Sequence, residues 1–108
     1  MARTEKLKGA LDLLILRSLR REPMHGYAIV CHIQRISDGA LEVEEGSLYP
    51  ALHRIEQAGW IDSEWKQTAN KRRAKYYRLT PTGGKRLDDE IESWKRLTDA
   101  VALVLREA

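Results

Sequence analysis

Apolar positions recur with a helical period in four stretches of the chain and alternate in two. In residues 7–21, Leu7, Leu11, Leu14 and Ser18 follow i, i+4, i+7 spacing, and Leu13, Leu16 and Leu19 add a second apolar side. This predicts a helix that needs more than one packing surface. It ends at Glu22-Pro23, because a residue before proline avoids the helical region. Residues 26–37 predict a second amphipathic helix, with Ile29, Ile33 and Ile36 on one stripe, Val30 beside them, and Asp38-Gly39 closing it as a turn. Residues 40–45 are acidic and short, and are expected to form a loop. A third helix is expected over 47–58, with Ser47 as N-cap, Pro50 within the first turn, Leu48, Leu52 and Ile55 inward, and Gly59 as the stop. Residues 60–66 and 74–79 predict strands. Ile61 and Trp65 alternate with Asp62 and Glu64, and Tyr77 and Leu79 alternate in part with Lys75 and Arg78. Residues 67–73 form the polar tip between them. Thr80 and Pro81 then open a last helix as N-cap and first residue. It runs to about Glu107, roughly 40 Å at 1.5 Å per residue.

Three short helices, a two-stranded ribbon and a long helix define a fold that is mainly α with a small β-hairpin. The order is that of a winged helix-turn-helix over residues 1–79, followed by a C-terminal helix over 80–108. A winged helix-turn-helix places its third helix in the DNA major groove, with the ribbon reaching phosphates alongside. The outward face of that helix carries Pro50 together with Ser47, Tyr49, His53, Arg54 and Gln57, and the latter five are able to bond base edges or phosphates.

Composition sharpens this only locally. The chain has 108 residues, room for one modest core, and 19 Lys+Arg against 16 Asp+Glu give a net charge of only +3. From Lys66 to Arg78, however, there are six cations (Lys66, Lys71, Arg72, Arg73, Lys75 and Arg78) and no acid. A basic hairpin tip beside a polar helix face is an electrostatic footprint for a phosphate backbone. The same tip would also serve as a solvated hairpin whose lysines discourage strand pairing.

Other classes fall away. No apolar run approaches the ~20 residues of a membrane span, and the N-terminus lacks the pattern of a secretory signal, so a cytoplasmic protein without membrane association is expected. The single cysteine, Cys31, cannot form an internal disulfide, and one Cys with three scattered His gives no zinc site. Cys31 and His32 project about 100° apart on a helix and make no catalytic dyad. Cys31 is expected as a small core group, and His25 as a cap or brace of the second helix. No catalytic constellation, cofactor motif or metal site is present, so an enzyme is not expected.

The run Glu45-Gly46-Ser47-Leu48-Tyr49-Pro50-Ala51-Leu52-His53-Arg54-Ile55-Glu56-Gln57-Ala58-Gly59-Trp60-Ile61 resembles the signature of the PadR family of bacterial transcriptional regulators. Met24-His25-Gly26-Tyr27, Lys75-Tyr76-Tyr77-Arg78-Leu79-Thr80 and Gly83 agree with it. Trp60 and Ile55 stand where leucine is usual. The resemblance implies a homodimeric DNA-binding regulator, most often a repressor, of the short type with a single dimerising C-terminal helix. In some relatives an aromatic residue at about the place of Trp94 lines a central cavity for flat apolar effectors, so Trp94 is the candidate contact for a small aromatic or apolar effector.

The last helix points to a dimer independently. Leu87, Ile91, Trp94, Thr98, Val101 and Leu105 recur at spacings of 4, 3, 4, 3 and 4, a heptad seam. This stripe is longer than a small body can cover, although packing against the first helix would also use part of it. On this reading Ser47, Tyr49, Pro50, His53 and Arg54 meet the major groove of a double-stranded operator, and Lys71, Arg72, Arg73 and Lys75 meet phosphates near the flanking minor groove. Tyr27 touches the backbone. The alternative is a winged-helix module that binds protein without reading DNA, since fold alone does not decide function.

Overall fold

The structure is a computed structural model that describes the backbone of residues 2–107 and the side chains of residues 10–107. Leu7, the first position of the expected stripe, thus lies outside the described side chains. Seven elements follow in order: α1 (Ala2–Arg21), β1 (Met24–His25), α2 (Gly26–Ile36), α3 (Glu45–Gln57), β2 (Ile61–Gln67), β3 (Arg73–Leu79) and α4 (Pro81–Leu105). The sheet has three antiparallel strands in the order β1-β3-β2. The ribbon expected from the sequence is therefore extended by β1, whose Met24 and His25 pair with Tyr77 and Tyr76.

The core is built where the apolar stripes converge. Leu11, Ile15, Leu16 and Leu19 of α1 meet Ile29 and Ile33 of α2, and Leu48, Ala51, Leu52 and Ile55 of α3. Ile61, Tyr77 and Leu87 close it from the sheet and α4. Each such aliphatic side chain contributes about 1.5–3 kcal/mol relative to exposure. Ser18, buried among them, is satisfied by donating to the Leu14 carbonyl at 2.7 Å.

Local chemistry sets the joints. His25 caps α2, its Nδ1 accepting from the Ala28 N–H at 3.1 Å. Gly59, at φ +83°, ends α3 in the left-handed conformation that glycine adopts without strain. Thr80 caps α4 as expected, its Oγ1 accepting from the Gly83 N–H at 3.0 Å while donating to the Gly59 carbonyl at 2.7 Å. The Thr80 N–H donates to the Trp60 carbonyl at 3.1 Å. The start of α4 is thus stitched to the end of α3.

Several expectations are corrected. Helix α3 begins two residues early: Glu44 is its N-cap residue, and Ser47 lies inside the first turn with its N–H on the Glu44 carbonyl. Pro50 accordingly sits in the second turn, where its missing N–H leaves the Gly46 carbonyl without its helical donor. Cys31 is exposed rather than buried, because it is two positions from both Ile29 and Ile33 and so about 200° from that stripe. Ile36 is exposed as well, since α2 ends there beyond the core. Leu87, the first position of the expected seam, is 0% exposed within this one chain and belongs to its own core. Ile91 packs partly against that core. Arg20 fixes the same stretch by donating to the Gly84 carbonyl at 3.0 Å and to Asp88 at 2.8 Å.

Beyond Ile91 the helix leaves the body. The molecule measures 58 × 28 × 24 Å, and its radius of gyration of 15.3 Å exceeds the ~13 Å of a compact chain of this length. Among the described residues, no helix is long and apolar enough to cross a membrane.

Candidate nucleic-acid interface

Helix α3 turns Leu48, Ala51, Leu52 and Ile55 inward. At 100° per residue the opposite line is Gly46, Pro50, His53 and Gln57, all exposed. Tyr49 and Arg54 flank it on opposite sides, and each has a partner within the chain. The Tyr49 ring lies over the backbone of Gly26, where a Cβ would come within 2.7 Å of its hydroxyl oxygen. Tyr49 therefore fixes α3 against the start of α2 while remaining 45% exposed. Arg54 is ion-paired with Asp12 of α1. Of the sequence-predicted residues on this helix, Pro50 and His53 stand on the open line, Tyr49 and Arg54 on its edges, and Ser47 is half-buried.

The hairpin stands beside this face. Its register pairs Ile61 with Leu79, Ser63 with Tyr77, Trp65 with Lys75 and Gln67 with Arg73. Directly paired residues share a sheet face. Ile61 and Tyr77 anchor that face in the core, and burial pushes the Tyr77 phenol above its ordinary value. Glu56 of α3 ties to the same face, accepting from the Ser63 hydroxyl at 2.5 Å and pairing with Lys75 at 3.3 Å.

The basic run is less free than its sequence implies. Acids nonetheless pair with it: Lys66 with Glu64 two residues before it on β2, Lys75 with Glu56 of α3, and Arg78 with Asp62 across the hairpin at 2.7 Å. The hydrogen bonds that Arg78 donates to Asp62 raise its guanidinium above its ordinary value. Lys75, expected to be free for phosphate, is thus already engaged. Among the described residues, Lys71, Arg72 and Arg73 have no carboxylate partner. The turn between the strands is closed by the Thr68 N–H on the Arg72 carbonyl at 2.6 Å, and holds Lys71 at φ +60°. A lysine in the left-handed region is uncommon, and that conformation sets it at the apex of the tip.

Tyr27, 61% exposed, stands at the start of α2. The neighbouring Cys31 thiol raises its phenol above the ordinary value. At the far end of the molecule, Trp94, Leu97, Val101, Val104 and Leu105 are all exposed on α4. The Thr98 hydroxyl folds back onto the Trp94 carbonyl at 3.0 Å.

Comparison with known proteins agrees with this architecture. Residues 15–89 match the transcriptional regulator PadR-like family. The chain belongs to the PadR-like family. A transcriptional regulator from Clostridium thermocellum superposes with a TM-score of 0.84 at 31% identity, over 95% of this chain and 99% of that one. A PadR-like transcriptional regulator from Bacillus cereus gives 0.82 at 28% identity, over 96% and 99%. A transcriptional regulator of Mycobacterium tuberculosis is 31% identical over 87% of this chain and 84% of its own length. The winged-helix fold expected from the sequence is thus the fold of its PadR-like neighbours, and this PadR-family chain is a transcriptional regulator.

Two of the family motifs have physical reasons in the fold. In Met24-His25-Gly26-Tyr27, the histidine caps α2 and the glycine makes room for Tyr49. In Leu79-Thr80-Pro81-Thr82-Gly83, the threonine caps α4 and the glycine lets it approach Trp60. Trp60 stacks under Arg86, whose guanidinium carbon is 4.7 Å from the ring centroid.

Proposed function

We propose that this PadR-family regulator is a cytoplasmic, homodimeric repressor that binds operator DNA in a sequence-specific way and is released by a small apolar or aromatic effector. The observation that carries the DNA part is the wing tip. Among the described residues, three cations without a carboxylate partner, Lys71, Arg72 and Arg73, stand at the outer end of the hairpin that Glu56 ties to α3. An unpaired cation at such a tip can release counterions from a duplex, whereas a paired one must first give up its acid. In this reading Pro50, His53 and Tyr49 meet the major groove, Arg54 contacts its edge after leaving Asp12, the tip cations meet flanking phosphates, and Tyr27 touches the backbone.

The bare stripe of α4 supports the dimer. Trp94, Thr98, Val101 and Leu105 lie on its outer half, and a second copy would cover them while two heads address half-sites about one turn apart. Trp94 then lies at the joint between subunits, where an effector would bind one head separation better than the other and so shift the equilibrium.

The test is a titration of the duplex upstream of the protein's own gene at several salt concentrations. Lys71→Ala and Arg72→Ala each flatten the log–log salt slope by about 1, while Lys75→Ala changes it less. The reading fails if the wild-type protein shows no preference for that duplex over competitor DNA. It also fails if sedimentation finds single subunits at micromolar concentration.

A further inference from the structure

Among the described residues, the hairpin carries one exposed large apolar side chain. Trp65 is 59% exposed, directly opposite Lys75 on β3. It follows Ser63 on the face that Ile61 and Tyr77 anchor, so it belongs to the side of the hairpin that meets α3. Glu56 of α3 fixes the side of this face, binding Ser63 and Lys75 on either strand. The strands outrun the body at this level, and Trp65 is the first residue of that face left uncovered. Arg73, diagonal to it, places its guanidinium carbon 5.5 Å from the ring centroid. From α3 outward, the inner wall of the wing therefore runs from the Glu56–Lys75 pair to the Trp65 indole, then to Arg73 and the tip.

We propose that Trp65 is itself a DNA contact, its indole lying against the deoxyribose wall of the groove next to the wing. The inference rests on the DNA-binding reading above. The sugars are the apolar part of a nucleic-acid backbone, and a flat indole covers their C–H surface without regard to base identity. The ring holds Arg73 on its edge by cation–π attraction, so the guanidinium reaches the adjacent phosphate with less freedom to lose. An indole is neutral and releases no counterion. Its contribution is consequently independent of salt, which separates it from every cation around it.

The experiment uses the full chain and a duplex selected by the wild-type protein from random-sequence DNA. Trp65→Ala and Trp65→Thr, the latter keeping a strand-favouring residue, weaken binding about tenfold at every salt concentration and leave the salt slope unchanged. Trp65→Phe recovers most of the loss. Arg73→Ala flattens the slope by about 1, and adding Trp65→Ala to it weakens binding further. Wild-type affinity in both Trp65→Ala and Trp65→Thr overturns the proposal. So does a flattened slope in Trp65→Ala with no further loss on top of Arg73→Ala, because the indole then only holds the arginine. If the wild-type protein selects no duplex, the DNA-binding reading falls first, before any variant is made.

Discussion

Gly83 and Gly84 are adjacent in the first turns of α4, yet alanine should act on them in opposite directions. A Cβ at Gly83 would overlap the Trp60 carbonyl oxygen outright, with the carbonyl carbon at 2.7 Å and Leu79 Cδ1 at 2.9 Å. Backbone cannot swing aside as a flexible side chain can, so the start of α4 must move off the end of α3. That shift strains or breaks the bonds from Thr80 to the Trp60 and Gly59 carbonyls, at about 1 kcal/mol each. It also loosens the packing of fully buried Leu87, worth about 1–2 kcal/mol more. The gain in helix propensity returns about 1 kcal/mol. Gly83→Ala is therefore expected to destabilise by about 2–3 kcal/mol, a fall in Tm on the order of 10–20 °C. At Gly84 the nearest atoms to a Cβ are Leu79 Cδ2 at 3.9 Å and Arg20 Nη2 at 4.0 Å. There only the propensity acts, and Gly84→Ala should stabilise by about 0.5–1 kcal/mol. Urea unfolding followed by circular dichroism measures both, at one fixed protein concentration because association would shift the midpoint. A Gly83→Ala protein as stable as Gly84→Ala would refute the close approach of α4 to Trp60.

Two further outcomes follow from the side-chain pairs. Asp12→Ala and Arg54→Ala should each lower stability by no more than about 1 kcal/mol, since half of the Arg54 side chain is in water. The double variant should lose little more than either, a coupling read from a double-mutant cycle in urea. His32 is held below the ordinary histidine value, by burial first, then by Arg35, Arg21 and Arg17, with Glu22 opposing. Below about pH 6.5 the unfolded chain binds this proton before the native state does. Stability should therefore be full above that pH and decline as pH falls toward the native midpoint, and His32→Gln should remove this part of the slope. An NMR titration of His32 with a midpoint at or above 6.5 would contradict it.

Reading a structure from a sequence works best where the cause is local. The caps at His25 and Thr80 act within three residues, and both stand where residue type and spacing indicate. Strand β1 is only two residues long, too short to carry any period, and exists because Tyr76 and Tyr77 offer an edge to it. Trp65 is on the face that alternation assigns to it, but alternation does not say where the body ends. The acid-free look of residues 66–78 is a property of the chain order: Lys75 and Arg78 find acids on other elements, and Lys66 takes Glu64 just before the run.

The sequence by itself determined the succession of the four helices and the hairpin, the ends of most helices and the family motifs, because these depend on neighbours within about two helical turns. Tertiary structure decided which cations remain unpaired, which glycine has no room for a methyl group, and that Leu87 faces inward while Trp94 faces out. Those outcomes depend on which distant segments meet, and such contacts leave no periodic trace along the chain.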